Sequence, residues 1–142
     1  MANANEHLRQ VLEKEYGVGA DEAGALDNPA LRDMLLSKIA ESKYKVSPSE
    51  LEGTDTQGMI TTLMQHMVSD LLKVDKSKVS AETSFSDLGA DSLDMVELLM
   101  TIEDTFEPFG ELKIPEEDAN IGTVGEAVER IDSYINDYVG AK

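Results

Sequence analysis

There is no cysteine in this 142-residue chain, so it offers no disulfide, no thiolate metal ligand and no thiol nucleophile of its own. Any thioester it carries must use an imported sulfur. Tryptophan is absent and aromatics make up only 5%, which leaves Leu, Ile, Val and Met to fill a core and favours a helical bundle. Basic residues are scarce: 12 Lys and Arg against 29 Asp and Glu give a formal net charge of -17. That sign argues against nucleic acid as a partner, because phosphate backbones are held by Lys and Arg. Basic patches on other proteins are the natural complement, met quickly and in a salt-dependent way. Long apolar runs are also missing. No stretch nears the roughly 18 residues that a membrane span requires, and Met1 to Gln10 has no apolar signal core. The expectation is a soluble, cytoplasmic monomer with no membrane insertion.

What the chain does have is helical periodicity. The clearest case is Gly58 to Lys73, where Met59, Ile60, Leu63, Met64, Met67, Val68, Leu71 and Leu72 line one face. Val74 to Asp91 breaks that pattern and reads as a long loop held at Val79, Phe85 and Leu88. A second helix is expected from Asp91 or Ser92 to about Phe106, with Leu93, Val96, Leu99 and Phe106 on one side and Asp94, Glu97 and Asp104 on another, ended by Pro108 and Gly110. Pro115 can open a short turn over Glu116 to Ala119. Thr123 and Glu126 form a capping box for a last helix, whose buried stripe is Val124, Ala127, Val128, Ile131, Tyr134, Ile135 and Tyr138.

The first 55 residues suggest two further amphipathic helices, at Glu6 to Tyr16 with Leu8, Val11 and Leu12, and at Pro29 to Tyr44 with Leu31, Met34, Leu35 and Ile39. Gly17, Gly19, Gly24, Asn28 and Pro29 break them apart. Ser47, Pro48 and Glu50 look like a capping box for one more turn. A boundary at Glu52 to Gln57 divides the chain into an extension, 1-55, and a domain, 56-142. The extension holds six basic residues (Arg9, Lys14, Arg32, Lys38, Lys43, Lys45) against eleven acidic ones; a helical hairpin that packs on the domain or docks a dedicated partner is the expectation, a disordered tail the alternative. Tyr16 and Val18, Tyr44 and Val46, and Leu72 and Val74 recur every 28 residues. This is either a degenerate helix-and-turn repeat or a chance likeness of short helices.

Asp87 to Asp94, Asp-Leu-Gly-Ala-Asp-Ser-Leu-Asp, places Ser92 at the first turn of a helix just after a glycine-containing loop. A phosphate ester there would meet the unpaired N–H groups and positive dipole end of the helix. By position alone, Asp91 and Ser92 are equally good as ordinary capping residues.

The octapeptide resembles the phosphopantetheine attachment motif of acyl carrier proteins, in which the serine of Asp-Ser-Leu bears the prosthetic group. The likeness continues through Met95 to Met100, Glu103, Asp104 and Phe106, then at Ile114 to Glu117 and at Thr123 and Val124, over roughly the last 85 residues. It implies an all-α fold: a four-helix bundle of three long helices and one short, preceded here by two additional helices. It implies 4'-phosphopantetheine from coenzyme A on Ser92, with Asp91 and Leu93 beside it. Leu93, Asp94, Glu97, Met100 and Glu103 would be the face that partner enzymes read, and Phe85, Leu98, Ile102, Ile114, Ile121 and Ala127 the lining of an acyl pocket. Partners would be a phosphopantetheinyl transferase and acyl-transferring, condensing and modifying enzymes with basic docking patches. Fatty acid, lipid, polyketide and peptide pathways share this motif, and Asp94 and Glu97 look more like acyl than peptidyl carriers. Two departures stand out: the link from Glu107 to Lys113 is longer than usual in the family, and the extension lies outside its pattern.

An enzyme is not expected, since Ser92 has no general base nearby in sequence. His7 and His66 read as surface residues of their own helices, and a lone imidazole is no metal site. An EF-hand loop started at Asp87 would put Ser92 where glycine is needed and Leu98 where the bidentate glutamate belongs. The competing reading is an unmodified acidic helical protein-interaction module.

Overall fold

A computed structural model describes residues 4–109 and 122–139. Among the described residues seven α-helices run in order: α1 (Ala4–Tyr16), α2 (Ala20–Gly24), α3 (Asn28–Tyr44), α4 (Pro48–Leu51), α5 (Thr56–Leu72), α6 (Ser92–Thr105) and α7 (Val124–Val139). Short 3-10 turns at Lys76–Lys78, Ser86–Leu88 and Glu107–Phe109 interrupt the connections, and the described residues form no strand. The all-α bundle expected from sequence is present. Helix α4 is the further turn expected after Ser47, and α2 comes in addition to the elements anticipated in the extension. The expected turn after Pro115 falls outside the described residues.

Stretches 28 residues apart are built alike. Helices α1, α3 and α5 end at Tyr16, Tyr44 and Leu72. Each is followed by a residue in the left-handed region: Gly17 (φ 68°), Lys45 (φ 56°) and Lys73 (φ 59°). A valine comes next, then the N-cap of a short helical turn (Gly19, Ser47, Asp75), and four residues beyond that cap a buried apolar side chain (Ala23, Leu51, Val79). In the first two units the valine N–H reaches back into the helix, Val18 to the Leu12 carbonyl at 2.9 Å and Val46 to that of Ala40 at 3.1 Å. This hydrogen bond, with an apolar residue packed on the core just past the left-handed one, is how a helix satisfies its last carbonyls.

Helices α3 and α5 match further. Both have 17 residues and open on an aspartate, Asp27 or Asp55, whose carboxylate accepts the N–H of the residue three further on, at 3.0 and 2.8 Å. Their buried positions coincide at the same spacing: Leu31 and Met59, Leu35 and Leu63, Leu36 and Met64, Ile39 and Met67, Ala40 and Val68. The 28-residue spacing is therefore a helix-and-turn repeat of the structure.

The repeated faces stack. Helix α1 lies on α3, α3 lies on α5 and α7, and α5 packs on α6 and α7. A single apolar cluster runs from Leu8 and Leu12 through Leu31, Leu35 and Leu36 to Met64, Ile102, Phe106 and Ile135, crossing the boundary expected at Glu52 to Gln57. Each fully buried leucine in it is worth about 1.5–3 kcal/mol of apolar burial. The two departures from the family pattern also meet: α1 packs on the Glu107–Phe109 turn, whose Phe109 is fully buried against Phe106 at 6.4 Å between ring centres.

Polar ties reinforce the joint. Arg32 on α3 pairs with Asp33 at 3.0 Å and donates to Asn136 of α7 and Thr56 of α5, both at 2.7 Å. Arg9 donates to the carbonyls of Ala23 and Leu26, fastening α2 to α1. At the far end of α6, Lys43 donates to the Asp104 carbonyl at 3.1 Å, and the Tyr44 hydroxyl pairs with Thr105 at 3.0 Å. Thr105 is the buried polar residue among those described, so this bond removes a desolvation cost. A lysine at a helix C-terminus complements the partial negative charge there, and α6 has no basic residue in its own last turn.

Several details differ from the expectations. Ser47 caps nothing with its side chain and pairs with Ser49 instead at 3.0 Å. The Thr123–Glu126 box is shifted: Thr123 Oγ1 accepts from the Glu126 N–H at 3.2 Å, but Glu126 reaches back to the N–H of Gly122 at 3.1 Å. His66 is no free surface residue. It is half-buried and stacks on Tyr44, 5.7 Å between ring centres, and burial pulls its pKa below the ordinary imidazole value, Lys76 adding to the effect. His7 lies edge-on to Tyr138 at 6.4 Å. Among the described residues, no helix is long and apolar enough to cross a membrane.

Candidate functional site

The start of α6 is held from two sides. Locally, Asp91 and Asp94 make a reciprocal capping box: Asp91 Oδ1 accepts the Asp94 N–H at 2.9 Å, and Asp94 Oδ2 accepts the Asp91 N–H at 3.1 Å. Upstream, the turn Ser86–Leu88 closes with the N–H groups of Leu88 and Ala90 on the Phe85 carbonyl and that of Gly89 on Ser86. Gly89 sits at φ 87°, a conformation that glycine takes without steric cost. Phe85 is buried beneath this turn and anchors it to the core.

Ser92 is the first helical residue after the cap, exposed, and no hydrogen bond occupies its hydroxyl among the described residues. Its flanks are Asp91 and Asp94. Helix N-terminal N–H groups favour an anion, whereas two carboxylates beside the same hydroxyl oppose one. A free phosphate would therefore be held poorly, and a phosphodiester has to be kept there by its covalent bond. The residues present fit a covalently attached phosphopantetheine: a free hydroxyl, an exposed approach and a rigid capped helix beneath it.

The outward face of α6 cuts across the grouping of Leu93, Val96, Leu99 and Phe106 on one side: Leu93 is 66% exposed, Val96 48% and Met100 59%. The buried side is Leu98, Leu99, Ile102 and Thr105, with Phe106 buried just past the helix end. The reason lies in composition: apolar residues occur almost all round α6, so periodicity alone could not choose its inner face. Among the residues assigned to partner recognition, Glu97 and Met100 are exposed while Asp94 and Glu103 are half-buried. Val96 joins that surface and was missed as part of it.

Four of the six residues assigned to an acyl pocket, Phe85, Leu98, Ile102 and Ala127, are buried members of the same apolar cluster. Ile114 and Ile121 fall outside the described residues. Met95 and Leu88, both partly buried, pack against this cluster on the side of α6 and its loop.

Comparison with known proteins gives the same picture. A family model described as a phosphopantetheine attachment site matches residues 63–131, from within α5 to within α7. An acyl carrier protein of Lactobacillus johnsonii (strain CNCM I-12250 / La1 / NCC 533) is 42% identical over 83 residues, covering 57% of this chain and 99% of that relative. The chain thus belongs to the acyl carrier protein family: it is a carrier rather than an enzyme, takes a 4'-phosphopantetheine group, and works with a phosphopantetheinyl transferase and with biosynthetic enzymes.

Proposed function

We propose that Ser92 is the residue that bears the phosphopantetheine arm. The observation that carries this reading is the exposed, unengaged Ser92 hydroxyl on the first residue of a capped helix, inside the matched attachment region. In the transfer step the Ser92 oxygen attacks the pantetheine-side phosphorus of coenzyme A, adenosine 3',5'-bisphosphate leaves, and the hydroxyl proton passes to a base of the transferase. A divalent metal on the transferase offsets the charge of the pyrophosphate. The carrier's own part is to present one hydroxyl, with Asp91 and Leu93 on either side. When bound, the arm supplies a thiol on which acyl groups ride as thioesters.

Leu93, Val96 and Met100 form an apolar strip down α6, edged by Asp94, Glu97 and Glu103. This suits transient docking in which charge steers encounter and the small apolar area keeps the complex short-lived. Phe85, Leu98, Ile102 and Ala127, with Ile114 and Ile121, are the proposed lining of the acyl pocket. The pathway class is proposed as fatty acid, lipid or polyketide biosynthesis, in a monomer working in the cytoplasm. Monomers are supported by the surface, since Leu93, Val96 and Met100 are the large exposed apolar side chains among the described residues.

The test is intact mass before and after incubation with coenzyme A, magnesium and a broad-specificity phosphopantetheinyl transferase. One phosphopantetheine increment that disappears in Ser92→Ala is the expected result. A folded protein that gains no mass while a control carrier is modified would return the chain to the unmodified interaction module.

A further inference from the structure

The loop that delivers Ser92 does not stand alone; it supplies the N-terminal cap of α7. The Val124 N–H donates to the Thr83 carbonyl at 2.9 Å and the Gly125 N–H to the Ala81 carbonyl at 2.8 Å. In return the Phe85 N–H donates to Gly122 at 3.0 Å, and Ser84 and Thr123 form an antiparallel bridge. The first N–H groups of a helix have no partner within it, and here they are met by carbonyls of the segment leading to the modified serine. This contact is unusually close. A Cβ added at Gly125 would stand 2.8 Å from the Ala81 carbonyl oxygen and 3.3 Å from the Ala81 Cβ. The oxygen is backbone, so it can yield only if the loop itself moves.

We infer that Gly125 is a positioning residue for the reaction at Ser92: its missing side chain lets the loop seat on α7, and that seat fixes where the Ser92 hydroxyl is offered to the transferase. The inference rests on the assignment of Ser92 as the modified residue. Gly125 touches neither the arm nor the transferase. It acts through Ala81 and Thr83, then through Phe85 and the Ser86–Leu88 turn, to Asp91 and Ser92. Val96 and Met100 of the docking strip are spared, because α6 beyond its first turn is held separately by its own buried face against α5.

A kinetic signature follows from the carrier being the substrate of the transferase. A displaced Ser92 hydroxyl lowers kcat while docking through Val96 and Met100 keeps KM. Simple loss of folded carrier does the opposite, raising apparent KM and leaving kcat unchanged. The experiment measures phosphopantetheine transfer from coenzyme A to the wild-type chain, Gly125→Ala, Ser92→Ala and the control Gly24→Ala, whose new Cβ meets nothing within 4 Å. Expected for Gly125→Ala is a kcat about 10-fold lower, equal to about 1.4 kcal/mol, with KM within 2-fold, and Gly24→Ala indistinguishable from wild type.

An unchanged kcat for Gly125→Ala, or a rise confined to KM, overturns the inference. A folded wild-type chain that takes no arm, or a Ser92→Ala chain that still takes one, overturns the site assignment first and the positioning role with it. Amide hydrogen exchange adds a readout independent of transfer: faster exchange in Gly125→Ala confined to residues 81–92 is expected, and exchange there identical to wild type counts against the inference.

Discussion

The α3–α4 unit and the α5 unit of this protein share an aspartate cap, a buried face, a left-handed helix end and a short helical turn, yet one of them leads to Ser92, the proposed attachment residue, and the other does not. The difference begins after the turn. Beyond α4, Glu52 to Asp55 run directly into the next helix. Beyond the Lys76–Lys78 turn, the chain from Val79 to Asp91 instead folds back onto α7 and ends at Ser92. The repeated unit thus builds the shared core, and the proposed attachment residue follows the loop that departs from it. The extension packs on the domain: α1 and α3 share the common core, and Lys43 and Tyr44 hydrogen-bond the far end of α6.

The largest effects should come from paired core truncations at equivalent positions. Leu35→Ala in the extension and Leu63→Ala in the carrier each remove a fully buried leucine and should each cost about 2–5 kcal/mol. Because the core is continuous, both should shift one shared thermal transition. Two separable transitions, with Leu35→Ala leaving the carrier's melt in place, would show the units to be independent and end the comparison.

Arg32 stands where the α5 unit has Ile60, and it sharpens the contrast between a polar and an apolar solution at one repeat position. Arg32→Leu should lose about 1–3 kcal/mol, since it leaves Asn136 and Thr56 without their charged donor. Urea denaturation measures this, and a stability equal to wild type would mean that packing alone joins the two units.

Smaller and opposite in sign are the helix ends. Gly17 occupies the left-handed position in the first unit and lysine does so in the other two. Lys45→Gly and Lys73→Gly should each stabilise by up to about 1 kcal/mol, because a side chain is strained there and glycine is not. Destabilisation in either melt would show that the lysine side chain supports its helix end.

The weakest effect is a pH dependence at the Tyr44–His66 stack. Folding lowers the His66 pKa by burial, helped by Lys76 and opposed by Glu50 and Asp70. The unfolded chain then binds the proton more readily, so this contribution is fully present above the ordinary imidazole value of about 6.5 and fades as pH falls through the lower folded value. An NMR titration of His66 checks it, and His66→Gln should flatten stability over that window.

Much of the carrier was legible residue by residue. The α5 stripe, the exposed serine behind its glycine turn, the anchoring of Phe85 and the stripe of α7 all follow from local periodicity and capping. The inner face of α6 did not, because Leu93, Val96 and Met100 are as apolar as Leu98 and Ile102. Phe109 gave no signal in a link that looked like an insertion. Neither did Gly125, whose importance exists only where two distant stretches of chain meet.

Taken alone, the sequence determined which segments are helical, where they stop and which serine is offered at a helix start, because those properties depend on neighbours within a turn or two. Tertiary structure decided which side of α6 faces outward, that the extension shares the carrier's core, and that α7 seats the Ser92 loop. Each of these depends on what a surface is pressed against, and burial and close approach are properties of pairs of segments that no single segment encodes.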